Sequence, residues 1–261
     1  MSVAYAGAMT ALMTGFPDAY CGPPALPGGV WQAWNADPWL LGVLTALAIA
    51  GGMFALRRGR SAGARNPALL AAWLLAFTLF VTPLCALAVS LFSVRVVNHI
   101  VLVAVLAPLL AYALGGRRLT GGLTPAVGVH VLVFWFWHAP SPYAAALSHD
   151  AIYWAMQLSL LASAIWFWRA LMARWHDLTA TASTLAGFAA QMGLLGALVA
   201  FAPEALYAPH AVSPQAWGLE PLEDQQLAGL IMWVPGVLPY LVALALAVAS
   251  ALQQGSRAGR L

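Results

Sequence analysis

Residues 221–252 read PLEDQQLAGLIMWVPGVLPYLVALALAVASAL, so four polar side chains stand directly before a long apolar run. Two of them are acids, Glu223 and Asp224, and two are amides, Gln225 and Gln226. Because a charge inside the hydrocarbon of a bilayer is costly, we expect this polar group to lie where the apolar run leaves a membrane. A polar group in that position indicates a functional site.

The composition supports the same interpretation. The chain has 261 residues, of which 62% are hydrophobic and only 7% charged, whereas a soluble domain carries about 25% charged residues. Apolar runs that can cross about 30 Å of hydrocarbon as helices fall near 38–56, 67–89, 94–114, 123–138, 151–172, 181–202 and 227–252. Alternation of period two is absent, which disfavours a barrel. We therefore predict an all-α, polytopic membrane protein with seven transmembrane helices.

The arginines predict how these helices are oriented. Ten of the eleven lie in loops on one side or at the end of the chain: Arg57, Arg58, Arg60, Arg65, Arg117, Arg118, Arg169, Arg174, Arg257 and Arg260. By the positive-inside rule that side is cytoplasmic, so the N-terminus is outside and the C-terminus inside. The predicted domains are an outer segment (1–37), which lacks the features of a signal peptide, a seven-helix membrane domain (38–252) and a cytoplasmic tail (253–261).

The two cysteines, Cys21 and Cys85, both fall on the predicted outer side. An oxidising compartment permits a disulfide between them. Their separation is not that of a metal or redox motif, so two unrelated thiols are the alternative.

A metal site is one interpretation of the histidines on the outer side. Imidazole suits copper, zinc and iron, and thioether sulfur suits Cu(I). The candidate ligands are His99, His138, Asp224 and His149, with Met156 or Met232 below them. The alternative is a polar plug in which histidine and asparagine side chains tie helix ends together. His130, deeper in the fourth run, is expected to be a packing residue, and His176 and His210 are loop residues.

Arg95 lies four residues before His99, on the same helical face. Its positive charge opposes a bound cation. It can instead pair with Asp224, which would clasp the third and last runs together. Asn98, Glu223 and Gln225 are the other polar side chains with an expected structural or partner-binding role.

Several functional classes are excluded or disfavoured. A retinal protein needs a lysine for its Schiff base, and the chain has none. The motifs of zinc hydrolases, serine hydrolases and phosphate-binding loops are absent, so we do not expect an enzyme. Most tryptophans near span ends are typical of an aromatic belt, and a haem or quinone pocket is the alternative.

Five stretches together resemble one family. They are WNADPWLLGVL (34–44), FSVRVVNHIVLVAVLAPLL (92–110), FWFWHAPSPYAAAL (134–147), QMGLLGALVAFAPEALY (191–207) and PLEDQQLAGLIMWVPG (221–236). The chain resembles the seven-span CtaG family of the Bacillus type, the cytochrome c oxidase assembly proteins. The last stretch is the most specific, because hydrophobicity alone does not produce its acid-Gln-Gln start.

The resemblance implies a role in maturing a haem–copper oxidase, in which copper is helped to reach a subunit on the outer side of a bacterial inner membrane. The matching polar positions are His99, His138, Asp224 and Gln225. The implied partners are cytochrome c oxidase subunits and the lipid bilayer, with no nucleic acid.

The chain departs from the family pattern at two places. Members often have two histidines four apart on the third span, where this chain has Arg95 as the first. Members often carry a Glu-His pair on the fifth span, where this chain has Met156 and Gln157. These changes remove candidate ligands, so two alternatives stay open: a structural partner or subunit of the oxidase without metal binding, and a haem-binding or transport protein of the membrane.

Overall fold

The computed structural model describes residues 19–59, 63–115 and 122–258, and all the regular structure in these ranges is helical. We number their α-helices in chain order as α1 (Pro38–Arg58), α2 (Arg65–Phe80), α3 (Leu84–Ser90), α4 (Phe92–Leu114), α5 (Leu123–His138), α6 (Pro140–Ser148), α7 (Asp150–Met172), α8 (Leu178–Ala200), α9 (Pro221–Trp233) and α10 (Leu238–Ala258). The predicted all-α class is confirmed for this part of the chain.

Five segments of the described part are long and apolar enough to cross a membrane: α1, α4, α7, α8 and the continuous stretch Pro221–Gln254. Helices α2 and α3, bent by 45° at a short break, form a sixth if they are one span. The break falls at 81–83, where Pro83 cannot donate a backbone hydrogen bond. Helix α5 is also apolar, but with 16 residues it is shorter than these five segments. A multi-pass helical protein is therefore confirmed, whereas the seventh span and the orientation stay predictions.

Helix α4 contains one wide turn that α7 stabilises. Residues Leu102–Leu106 form a π-helix, in which the N–H of Ala107 bonds to the carbonyl of Leu102 five residues back. The carbonyl of Val103 would need the N–H of Pro108 in the same pattern, and proline has none. The indole Nε1 of Trp168 donates to this carbonyl at 2.8 Å instead. The wide turn thus fixes α7 against α4.

Helices α8 and α9 approach each other backbone to backbone at two glycines. A Cβ added at Gly229 would lie 2.5 Å from the carbonyl oxygen of Gly196 and 2.6 Å from the amide nitrogen of Ala200. Only glycine fits such a contact, which is the small-residue packing common between membrane helices. This contact packs α9 directly against the last turns of α8. The polar first turn of α9 therefore lies close to the end of α8.

The segment before α1 is attached to the bundle by covalent and polar contacts. Cys21 and Cys85 form a disulfide, with 5.4 Å between their Cα atoms, so the alternative of two unrelated thiols is wrong. The phenol of Tyr20 donates to the carboxylate of Asp37. The carbonyl of Ala25 accepts from Ser90 Oγ at 2.9 Å. The segment therefore packs at the α3 end of the bundle.

Candidate functional site

The first turn of α9 divides the polar group at 223–226 into an exposed and a buried part. Glu220 and Glu223 form a capping box, with the backbone N–H of Glu220 donating to Glu223 Oε2 at 2.8 Å. Both of these acids are exposed, whereas Asp224 and Gln225 are buried. The first turn of α9 thus places the carboxylate of Asp224 and the amide of Gln225 inside the protein.

Asp224 binds the N-terminus of α4 across the bundle. Its carboxylate accepts from the backbone N–H of Phe92 at 2.6 Å and of Ser93 at 3.2 Å, and from the Ser93 hydroxyl. A helix N-terminus carries partial positive charge and free N–H groups, so a carboxylate is favourable there. The sequence offered a clasp between Asp224 and Arg95 as one of two alternatives. In the structure both oxygens of Asp224 bind the backbone amides and Ser93 of α4, so the third and last runs are joined through these groups.

Gln225 holds the segment that follows α8. Its Oε1 accepts from the N–H of Leu206 at 2.6 Å, and its Nε2 donates to the carbonyls of Val199 and Glu204 at 3.3 and 3.2 Å. Its expected structural role therefore agrees with these contacts. Gln225 fixes the chain that leads to Tyr207.

Arg95 lies inside the protein, 1% exposed, one turn before His99. Its Nε donates to the carbonyl of Ala88 at 3.1 Å, and its guanidinium carbon lies 5.6 Å from the centre of the Tyr153 ring. A cation over an aromatic face at this distance gains electrostatic energy. Arg95 thus connects α4 to α3 and α7. On the same helix, Asn98 donates to the carbonyl of Leu79 at 3.3 Å.

His99 and His138 meet between α4 and α5. Their ring centres are 5.7 Å apart and the rings are nearly perpendicular. His138 Nδ1 lies 2.7 Å from the carbonyl oxygen of Phe134, and since a carbonyl only accepts, this nitrogen carries the proton. In the neutral ring Nε2 then has the free lone pair. His99 Nε2 is buried without a hydrogen-bond partner among the described residues.

The other predicted ligands lie apart from this pair. His149 precedes α7 and is exposed, and Asp224 binds the amides of α4. In residues 19–59, 63–115 and 122–258, no three side chains of His, Cys, Asp or Glu form a group that could hold a metal ion. The structure therefore brings together His99 and His138 of the predicted cluster, and their metal binding stays a prediction.

An aromatic layer that the sequence did not reveal covers His138. The phenol of Tyr207 donates to the carbonyl of His138 at 2.8 Å, and its ring stacks on Phe92 with 3.9 Å between centres. The phenol of Tyr143 lies 2.7 Å from His210 Nε2. Burial, followed by the positive charge of Arg95, lowers the pKa of His210 to about 3. His210, expected to be a loop residue, is thus a buried, neutral part of this layer.

The deeper polar residues have packing roles. His130 is fully buried, its Nδ1 lies 2.9 Å from Ser163 Oγ, and its ring stacks on Phe188 at 4.7 Å. Gln191 accepts from Trp135 Nε1 at 3.1 Å. Both residues join neighbouring helices, and for His130 this agrees with the packing role expected from the sequence.

These features define a class: a polytopic helical membrane protein in which buried polar side chains, a histidine pair among them, gather at one end of the bundle. A family model for the cytochrome c oxidase caa3 assembly factor (Caa3_CtaG) matches residues 117–254, more than half of the chain. The chain belongs to this family. No curated protein and no solved structure matches it. The matched range includes His138, Asp224 and Gln225, whereas Arg95 and His99 precede it.

Proposed function

We propose that this protein assists the assembly of cytochrome c oxidase by holding copper transiently between His99 and His138. The observation that carries the proposal is the meeting of the two rings, 5.7 Å apart, from two different helices. Imidazole nitrogen is a suitable ligand for copper. Copper is the cargo in this proposal, so no reaction is assigned to the protein.

The hydrogen bonds around the pair fit this role. The carbonyl of Phe134 fixes the tautomer of His138, which leaves Nε2 as the ligand atom. A backbone carbonyl on the far nitrogen is the usual partner of a metal-binding histidine. A buried polar atom without a partner costs about 1–3 kcal/mol, and His99 Nε2 is such an atom among the described residues. A bound cation would relieve this cost.

The proposed topology has seven spans in a bacterial inner membrane, with the histidine pair towards the outer side. Two arginines support it, because they lie at the opposite end of α4 from His99. Arg58 donates to the carbonyls of Ala113 and Leu114 at 2.7 and 2.8 Å, and Arg169 donates to that of Gly115 at 3.1 Å. Arginines at the cytoplasmic end agree with the positive-inside rule.

A second candidate function is a structural one, in which the protein docks oxidase subunits without binding metal. Arg95 favours it, since this buried guanidinium lies one turn from His99 and its charge opposes a cation. The use of Asp224 by the amides of α4 favours it too.

The two candidate functions differ in whether the protein binds copper through His99 and His138. Wild-type protein and the variants His99→Gln, His138→Gln and His149→Gln are purified, loaded with Cu(I) under reducing conditions, and counted for metal. Copper binding by the wild type and by His149→Gln, and its loss in the other two, supports the first function. His149 is the matched control because it is exposed.

The oxidase provides the second measurement. If His99→Gln and His138→Gln bind as much copper as the wild type, or if the wild type binds none, the copper proposal fails. If those variants still co-purify with a fully active oxidase in that case, the structural function stands.

A further inference from the structure

The buried guanidinium of Arg95 has most of its hydrogen-bond donors open. Its Nε donates to the carbonyl of Ala88 at 3.1 Å. Both Nη1 and Nη2, however, are buried without a hydrogen-bond partner among the described residues. These two nitrogens carry four of the five N–H groups of an arginine side chain. A cationic donor group is thus held inside the bundle, one helical turn before His99.

Gln157 of α7 adds a second unpaired side chain to this place. It is 1% exposed, and both its Nε2 and its Oε1 are buried without a hydrogen-bond partner in the part of the chain that the structure describes. It lies one helical turn after Tyr153 and beside that phenol. The guanidinium carbon of Arg95 is 5.6 Å from the centre of the same ring. Open polar atoms of α4 and α7 therefore meet at Tyr153.

The positive charge at this place is not bonded to a carboxylate. Among the described residues, the other buried side chain with a formal charge is Asp224. Its oxygens accept from the backbone amides of Phe92 and Ser93. Burying a charge or a polar group is costly unless it is hydrogen-bonded. An occupant that accepts hydrogen bonds from Arg95 and Gln157 would relieve that cost.

We propose that Arg95 and Gln157 bind a small inorganic anion of the chloride type. The open groups are four guanidinium N–H and two amide N–H, so donors outnumber acceptors. A halide only accepts and suits such a site, whereas a water molecule must also donate two protons. The charge of Arg95 also acts on Tyr143 and Tyr153, each 1% exposed. The surroundings are thus closely packed, which favours an ion of one or a few atoms.

This inference goes beyond the proposed copper function and does not depend on it. An anion at Arg95 would nevertheless offset the repulsion between this residue and a cation at His99. The experiment therefore measures the anion on protein without copper, so that its outcome is separate from the metal count of the histidine variants.

The test measures chloride on the purified full-length protein in detergent. Radioactive chloride is added in sodium gluconate buffer and competed with unlabelled chloride. Unfolding temperatures are recorded in sodium chloride and in sodium gluconate of equal ionic strength. We expect saturable chloride binding and a higher unfolding temperature in chloride, since a ligand of the folded state stabilises it. Absence of saturable binding would overturn the inference.

Two pairs of variants locate the site. Gln157→Leu is expected to weaken chloride binding about tenfold, as the loss of one hydrogen bond to an ion does. Gln191→Leu is its control, because Gln191 is bonded to Trp135 instead. Arg95→Gln is expected to abolish binding. Arg169→Gln is its control, because that guanidinium donates to the carbonyl of Gly115, at the other end of α4.

The glutamine pair keeps the test decisive if Arg95→Gln does not fold. Gln157→Leu removes no hydrogen bond made within the described residues, and its unfolding curve shows whether it is folded. Unchanged chloride binding in folded Gln157→Leu would place the anion elsewhere and overturn the inference. An equal loss in Gln191→Leu would show an effect of general destabilisation, and would overturn it as well.

Discussion

The carboxylate of Asp224 binds the backbone amide of Phe92, 132 residues earlier in the chain, at 2.6 Å. One side chain of α9 thus caps α4, the helix that carries His99. The polar first turn of α9 and the histidine pair are therefore mechanically connected, although they do not share one cluster of ligands.

Replacing Asp224 with asparagine tests this connection. The amide keeps one oxygen but brings an NH₂ group against the N–H groups of Phe92 and Ser93, so we expect a loss of about 1–3 kcal/mol in the free energy of unfolding. Thermal or denaturant unfolding in detergent measures it. Glu204→Gln, at an exposed acid, is the control, with a change within about 0.5 kcal/mol. Equal effects of the two changes would contradict the cap.

The contact between α8 and α9 predicts opposite effects of two glycine-to-alanine changes. Gly229→Ala forces a methyl group against the backbone of Gly196 and Ala200, and we expect it to cost about 1–3 kcal/mol. Gly187→Ala, at an exposed position of α8 whose Cβ meets no described atom within 4 Å, is expected to stabilise the helix by about 0.5–1 kcal/mol. Unfolding temperatures compare the two. A neutral Gly229→Ala would mean that the helices are not in close contact.

The wide turn of α4 predicts that the effects of changing Trp168 and Pro108 on the free energy of unfolding are coupled, because both residues act on the carbonyl of Val103. Trp168→Phe leaves the carbonyl of Val103 without its donor, at a cost of about 1–3 kcal/mol. Pro108→Ala supplies a new N–H to this turn, so the same tryptophan change should cost less in that background. A double-mutant cycle of unfolding free energies measures the difference. Strict additivity would show that Trp168 acts only through packing.

His210 predicts a dependence of stability on pH. Its pKa is about 3 in the folded protein and about 6.5 in an unfolded chain, so between these values the unfolded state binds more protons. Its contribution to stability is complete above pH 6.5 and decreases as the pH falls towards 3.

The variant His210→Gln should show a shallower acid slope of the unfolding free energy, by up to about 1.4 kcal/mol per pH unit. Unfolding curves between pH 7 and 5 provide the slopes. His149→Gln, at an exposed histidine, is the control. If both variants have the wild-type slope, His210 is not held neutral by the fold.

Hydropathy predicted the helices well because membrane insertion depends on the summed apolarity of a segment. Each of the seven runs lies on helices of the structure. The bend at 81–83 was not predicted, since the apolar run continues through it. His99 and His138 were both expected on the outer side of adjacent runs, and the structure brings their rings together.

The partners of Asp224 and His210 could not be predicted in the same way. The group that a side chain contacts across a bundle depends on how each helix is rotated and on the path of the loops. No repeating pattern in the sequence reports either of them. Arg95 was the obvious partner for Asp224 by charge. The free amides of an N-terminus, which no residue type marks, bind it instead.

The disulfide between Cys21 and Cys85 imposes an order on the biogenesis of the protein. Cys21 is synthesised 64 residues before its partner, and the whole of α1 and α2 lies between them. The segment before α1 must therefore stay unlinked to the bundle until α1, α2 and the start of α3, which carries Cys85, have been synthesised. Closing this bond then joins the segment before α1 directly to α3, across the two helices that lie between them in the sequence.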